Sequence, residues 1–545
     1  MQEKDAPPEM SEESLQSASG GLTSDTETNR RGILKSAMSV SGITVVSRVL
    51  GLVREQVRAH FLGTSLASDA FGLAFQIPNL LRRLVGEGAM SAGFIPVLSE
   101  VRARSGDQAA FVFARRFFNL ALLAITALSA LGVLGAGLIV SVFAALGGQD
   151  IDPEARELTT SLTRVMFPYI ALISWAAIAQ GVLNTFRVFW VSAFTSVLLN
   201  IAIIASAVIL CDQMGTPAYG FAIGVVLGGC LQFFFQVPYV YRLGFSWRPD
   251  FQLSPAVKKT LWLLVPTLFG AGVYQVNVLV SQAIAWGLGS GAVSSLQYSS
   301  RLIELTLGVF AVAVSTVVLP NLATDAAEGA MDRVGDTVLY TIRLCCFVCF
   351  PVTAALFLVG TETISLLFER GAFGTVSAGT TAYALAFHVV GLSHIAVSRI
   401  LISSFYAFKD TRTPVLCGVL AMVMNISLCY GLAPHFDLAG IAMANSLSIM
   451  AQAMALGLLL RRHTGVIRDT ETFSSLAKSL AATLTMSAVV VLLSRQLQLD
   501  ALHGFSDLVL PYLALVAAAV ATYTLSCALL KHGELAEFTQ LLRRR

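Results

Sequence analysis

Runs of about twenty apolar residues recur from residue 38 almost to the C-terminus, and they restrict what this chain can become more than any other feature. Hydrocarbon offers backbone amides no partner, so a segment of that kind buried in lipid must satisfy its own N–H and C=O groups as a helix. Candidate spans lie at 38–62, 66–85, 117–146, 158–186, 189–211, 218–241, 260–288, 294–319, 337–359, 379–406, 413–432, 438–460, 474–494 and 508–530. Composition agrees: of 545 residues 55% are hydrophobic and only 13% charged, where a soluble chain carries about a quarter charged. The mean hydropathy is +0.73. The expectation is an all-α polytopic membrane protein with about fourteen transmembrane helices.

Residues 1–37 are rich in Ser, Glu, Thr and Pro and lack the basic start and apolar core of a signal peptide, so they read as a disordered tail. The formal net charge of +3 argues neither for nor against nucleic acid, which is not expected as a partner. Where the charges sit says more. Arg82, Arg83, Arg102, Arg104, Arg115, Arg116, Arg187, Arg242, Arg248, Lys258, Lys259, Arg333, Lys409, Arg412, Arg461, Arg462 and Arg468 flank alternate connections, and Arg543 to Arg545 end the chain. The other connections offer little beyond Arg156, Arg370 and Arg495, so the positive-inside rule predicts cytoplasmic termini. The eight cysteines fall in or beside apolar segments rather than in polar loops, and Cys345, Cys346 and Cys349 read as helix-packing residues with no His or carboxylate near them.

The two halves match weakly at a spacing of about 220 residues. Gly63, Pro96 and Leu98 pair with Gly287, Pro320 and Leu322; Asn200 pairs with Asn425; Gly220, Ala222 and Gln232 pair with Gly440, Ala442 and Gln452. An even number of helices per repeat inserts both copies in one orientation. The organisation expected is a six-helix lobe over 38–243, a second, pseudo-symmetric six-helix lobe over 257–462, two extra helices within 473–531, and a basic tail over 532–545.

Charges inside the spans carry the functional signal. In 38–62, at about 100° per residue, Thr44, Ser47, Arg48, Gly51, Arg54, Glu55 and Arg58 share one face and the valines and leucines the other. An arginine at mid-bilayer costs at least ~2.5 kcal/mol, so it turns toward protein, a wet cavity or an anion. Asp69 and Gln76 follow in the next span, and Pro78 interrupts the register before Arg82 and Arg83. Gln297, Arg301, Glu304 and Gly308 make a similar stripe in 294–319. If the lobes face each other, Arg48, Arg54 and Arg301 converge on one cationic cavity with Arg82 at its cytoplasmic end; Glu55, Asp69, Glu87 and Glu304 are the available counter-charges. Simple helix-tying ion pairs are the competing explanation, but the arginines outnumber the deeply placed acids. A diphosphate suits the surplus, since guanidinium forks grip phosphate oxygens two at a time. His388, His394 and Arg399 read as packing residues or as a proton path, and FERGAF (Phe368 to Phe373) as an interfacial helix end.

The stretches SRVLGLVRE (Ser47 to Glu55), SDAFGLAFQIPNLLRRLVGEGAMSAGFIPVLSE (Ser68 to Glu100), YSSRLIELTLGV (Tyr298 to Val309) and FERGAF closely resemble the MurJ (MviN) lipid II flippase family. That family belongs to the multidrug, oligosaccharidyl-lipid and polysaccharide exporter superfamily. The resemblance implies two pseudo-symmetric lobes around a cationic cavity and substrate-binding roles for Arg48, Arg54, Asp69, Arg82, Glu87 and Arg301; the polar stripes themselves add Glu55, Gln297 and Glu304 as candidate accessory residues. It also implies a lipid-tail groove on the last two helices and a cargo of undecaprenyl-diphosphate-linked muropeptide (lipid II), carried in the bacterial inner membrane. Neither a cofactor nor a metal is expected; membrane potential or an ion gradient is the candidate energy source, and membrane lipids and the cell-wall synthesis machinery are the candidate partners. Some relatives carry a carboxylate-containing sodium site between helices 7, 11 and 12, whereas 260–288, 413–432 and 438–460 hold no Asp or Glu here. The rivals are an exporter of other polyprenyl-linked sugars or of drugs on the same fold, and a membrane enzyme acting on polyprenyl phosphates. Acids in the cytoplasmic loops are scattered rather than clustered for magnesium, which disfavours the enzyme.

Overall fold

A computed structural model describes residues 39–83, 90, 93–148, 151–464, 470–499, 502 and 504–537. The tail expected over 1–37, Glu87 and residues 538–545 lie outside them. Among the described residues every regular element is helical. In chain order these are α1 (39–62), α2 (Leu66–Arg82), α3 (Ile95–Leu134), α4 (Ala136–Gly147), α5 (Pro153–Met166), α6 (Pro168–Thr185), α7 (Phe189–Leu210), α8 (Ala218–Arg242), α9 (Pro255–Trp286), α10 (Ala292–Ala327), α11 (Met331–Leu358), α12 (Gly360–Phe368), α13 (Thr375–His388), α14 (Leu392–Ala407), α15 (Arg412–Thr464), α16 (Thr470–Gln496) and α17 (Phe505–Leu529).

Local chemistry sets the helix starts. Ser65 caps α2 by accepting from the Ser68 amide, Asp152 caps α5 ahead of Pro153, and Ser254 caps α9 ahead of Pro255, a first-turn site where proline's missing N–H costs nothing. Several expected spans are subdivided. The run 117–146 breaks at Gly135 between α3 and α4, 158–186 breaks before Pro168, and 379–406 is interrupted by a 3-10 turn over Val389–Gly391. The runs 413–432 and 438–460 are two helical segments of α15, separated by non-helical backbone at Asp437, where φ is 48° and ψ −131°. Nine helical stretches among the described residues are long and apolar enough to cross a membrane. Candidate spans 38–62, 66–85, 260–288 and 294–319 fall on α1, α2, α9 and α10, outside those nine.

Two packed groups emerge. α3, α6, α7 and α8 pack together with α2 and α5, whereas α10, α11, α13, α14 and α15 form a second group with α9 against α15. The α16–α17 pair leans on α11 through Phe347, Met486, Leu515 and Tyr523. A shared core joins the groups, in which Leu73, Val140 and Ala155 meet Val280, Ile284 and Leu296. Just beyond α17, His532 and Glu534 are buried, held by Ser479 and Ser475 of α16. Repeat partners also occupy matching contacts, for Asn200 on α7 accepts from Arg54 of α1, as Asn425 on α15 meets Asn277 of α9.

Candidate functional site

α1 is oriented as its two faces require. Val45, Val46 and Val49 are exposed on the side that would meet lipid, while Gly51, Glu55 and Arg58 are buried. Glu55 lies at the centre of the site. It receives Arg54 at 2.5 Å, with Arg58 at 3.7 Å on the same helix and Arg301 of α10 at 3.8 Å. Arg301 also pairs with Glu304 at 2.7 Å, and Glu304 with Arg83 at 3.9 Å. Side-chain exposure along this chain rises from 9% at Arg58 and 11% at Glu55 to 31% at Arg301 and 44% at Glu304. The cluster is therefore sealed at the Arg58 side and open toward Arg83. Among the described residues two carboxylates serve four guanidinium groups there, so positive charge is in excess among them, which favours an anion held by paired N–H donors.

Arg48 stands one helical stage further toward the open side, its guanidinium against Gly308 of α10 at a point where a Cβ would collide with it. Absence of a side chain at 308 is thus what lets the two helices and the arginine share the space. Arg82, the last residue of α2, donates from Nε to Asn79 at 3.0 Å, and Arg83 follows as the C-cap. Gln297 bonds to Gln282 of α9 at 3.1 Å and abuts Gly72 of α2.

Asp69 is not in this cluster. Its two carboxylate oxygens accept the backbone N–H groups of Gly291 and Ser294 at 2.7 and 2.8 Å, satisfying the orphan donors at the start of α10. That bond is one of several tying the groups at the end where α1 finishes and α10 begins. Ala372 N–H donates to His60 O at 2.8 Å, Gln56 Nε2 to Leu367 O at 3.0 Å, and Tyr430 OH to Leu146 O at 2.6 Å; the Thr64 and Ser377 hydroxyls lie 2.6 Å apart. FERGAF therefore has a structural place: its Phe368 and Phe373 pack on Tyr298, and its loop closes over the end of α1.

Sequence reasoning passed over Asn200, Arg83 and the Gly291–Ser294 turn. Asn200, which also donates to Ser47 O at 3.2 Å, was visible only as a repeat match. His388 is buried between Ser299 of α10 and Asn445 of α15. Among the described residues no group of three or more His, Cys, Asp or Glu converges as a metal site. Where the resemblance implies a sodium site, Asn425 meets Asn277 and Ser281, which are all neutral.

A bundle of apolar helices with ionic side chains enclosed between its two groups is the arrangement of a membrane transporter. A solved multidrug resistance MATE family transporter of the MOP superfamily, inward-facing, shares the fold with TM-score 0.66 at 17% identity, over 80% of this chain and 99% of that one. The solved structure titled lipid II flippase MurJ, inward closed conformation, superposes with TM-score 0.76 at 26% identity, over 90% of this chain and 98% of that one. A relative described as a probable lipid II flippase MurJ, from Vibrio cholerae, is 36% identical over 506 residues, 90% of this chain and 95% of its own length. A family model for lipid II flippase MurJ matches residues 58–510, and the chain belongs to that family. It is a multi-pass inner-membrane transporter and not an enzyme.

Proposed function

We propose that this protein moves undecaprenyl-diphosphate-linked peptidoglycan precursor from the inner to the outer leaflet by alternating access between two lobes, 38–243 and 257–462, with both termini in the cytoplasm. Arg48, Arg54 and Arg301 grip the diphosphate, Arg82 receives it at the cytoplasmic mouth, Glu87 shares in substrate binding, and Asp69 holds the outer end shut. Glu55, Gln297 and Glu304 keep the arginines apart and soluble in the empty cavity. Helices within 473–531 carry the polyprenyl tail, and the enzymes that consume the exported precursor are the partners this reading points to.

The observation that carries the proposal is the sharing of one buried carboxylate, Glu55, by Arg54, Arg58 and Arg301 from two helices. An arriving diphosphate competes with Glu55 for guanidinium N–H groups and gives α10 a reason to move relative to α1. Transport requires this differential binding, because a ligand held equally in both states shifts nothing. Membrane potential adds ~2.3 kcal/mol per charge per 100 mV. Substituting Arg48→Ala or Arg301→Ala and measuring externally accessible lipid-linked precursor tests the reading: export falls by roughly tenfold or more if these groups make charge-assisted bonds to the cargo. Export at the wild-type level in both variants refutes it.

A further inference from the structure

A second opening, sharing no lining residue with the arginine cluster, lies in the first group of helices. α3, α6 and α8 diverge there around a groove of about 310 Å³, walled by residues such as Phe118, Leu122, Trp175, Ala179, Phe233 and Phe234. That is the low end of the ~300–1,000 Å³ range of small-ligand sites. Its lining is aliphatic and aromatic throughout. Along α8 the lining runs from Phe233 to Tyr241, ~12 Å at a rise of 1.5 Å per residue, close to the ~15 Å hydrocarbon depth of one leaflet.

One end of the groove has a built mouth. The loop after α8 brings Phe245 and Trp247 to it, and the buried carboxamide of Asn119 fixes that loop. Asn119 Nδ2 donates to the carbonyls of Arg248 and Asp250 at 2.8 and 3.2 Å, and its Oδ1 accepts from Trp247 Nε1 at 2.9 Å. Arg116 secures the same loop through Asp250 at 2.9 Å and Gln252 at 2.6 Å. The aromatic side chains at the mouth suit the membrane interface, where an apolar body and a polar edge are both satisfied.

Around that mouth, among the described residues, arginines outnumber acids. Arg115 follows the lining residue Ala114, Arg242 follows Tyr241, and Arg248 follows Trp247. Asp250, 3.7 Å from Arg115 and 2.9 Å from Arg116, is the acid tied into this set. Arg242 and Arg248 are exposed.

We propose that this groove is a binding site for an anionic glycerophospholipid, one acyl chain filling the slot and the headgroup phosphate held by Arg115, Arg242 and Arg248. A leaflet-deep slot matches an acyl chain and is too short for a polyprenyl tail. The cationic mouth selects the negative headgroup over a zwitterionic one. None of the arginines assigned to the cargo takes part, so this site stands or falls separately from the flippase reading.

The test uses the full-length protein loaded from mixed phosphatidylglycerol and phosphatidylcholine micelles and examined by native mass spectrometry. Retained phosphatidylglycerol exceeds phosphatidylcholine by roughly tenfold, on the scale of a few arginines acting near a membrane surface. Ala179→Trp fills the slot and abolishes that retention, while Arg242→Gln with Arg248→Gln, both at exposed positions, keeps the fold and reduces the preference to about twofold or less. Equal retention of the two lipids by the wild type overturns the proposal. So does undiminished phosphatidylglycerol in a folded Ala179→Trp protein, an unaltered preference in the double arginine variant, or displacement of the lipid by undecaprenyl diphosphate. Should Ala179→Trp fail to fold, the arginine pair decides alone.

Discussion

Glu55 is where opposing demands on single residues meet. It neutralises Arg54, Arg58 and Arg301 at once, so its removal strands buried positive charge. Glu55→Ala is expected to lower unfolding stability by about 3 kcal/mol, as breaking a buried pair does. Added inorganic diphosphate should recover part of that loss by binding the folded state; thermal unfolding in detergent, with and without the anion, checks both statements. Gly308 makes the converse case. A methyl group there meets the end of the flexible Arg48 side chain rather than backbone, so the fold tolerates it while the guanidinium is displaced. Gly308→Ala is expected to stay within about 0.5 kcal/mol of wild-type stability yet to lose roughly tenfold or more in precursor export, a cost in keeping with misplacing a binding group. Arg48, Arg54 and Arg301 were legible from sequence because charge in a greasy segment is costly. Arg83 was not, since Pro78 breaks the register that would have placed it.

At the scale of elements, hydropathy reads the medium better than it reads the breaks. An apolar window of about twenty residues averages over Gly135, Pro168 and the turn at Val389–Gly391, each of which ends a helix without changing the local polarity. The strap from α8 to α9 shows a local electrostatic design that composition hides. The Arg116 hydrogen bond, with Arg115 nearby, holds the Asp250 carboxyl below the usual carboxylate range. A depressed folded value contributes stability above the unfolded value and loses it as pH falls through the folded one. Amide exchange over residues 245–250, corrected for intrinsic rates, should therefore be flat from pH 8 to about pH 5 and rise only in more acidic solution. Asp250→Asn should raise exchange in the loop at neutral pH. If that variant exchanges like the wild type, the strap does not depend on the carboxylate.

For the molecule as a whole, one set of contacts joining its two groups of helices lies where α1 finishes and α10 begins, and another lies where Lys259 of α9 pairs with Glu100 of α3. Asp69 with Gly291 and Ser294, Ala372 with His60, and Thr64 with Ser377 must all separate if the α1–α10 end is to open. Thr64 and Ser377 have hydroxyl oxygens 2.6 Å apart, so cysteines there stand near the ~2.05 Å S–S bond length with modest adjustment. Oxidising Thr64→Cys with Ser377→Cys is expected to arrest precursor export, and reductant should restore it. Export that continues with the crosslink complete would show that this end does not open during transport.

Sequence alone determined the solvent, the helical class and the polar face of α1, because each follows from a local cost: an unsatisfied backbone in lipid, a charge in hydrocarbon, or a periodicity set by one helix. Tertiary structure decided which group answers which. Asp69, a plausible counter-charge by composition, is instead spent on amides more than 200 residues away, and Glu55 alone is shared among three guanidinium groups. Pairings across that much chain depend on how the helices stack, and nothing in the spacing of either segment encodes the other's position.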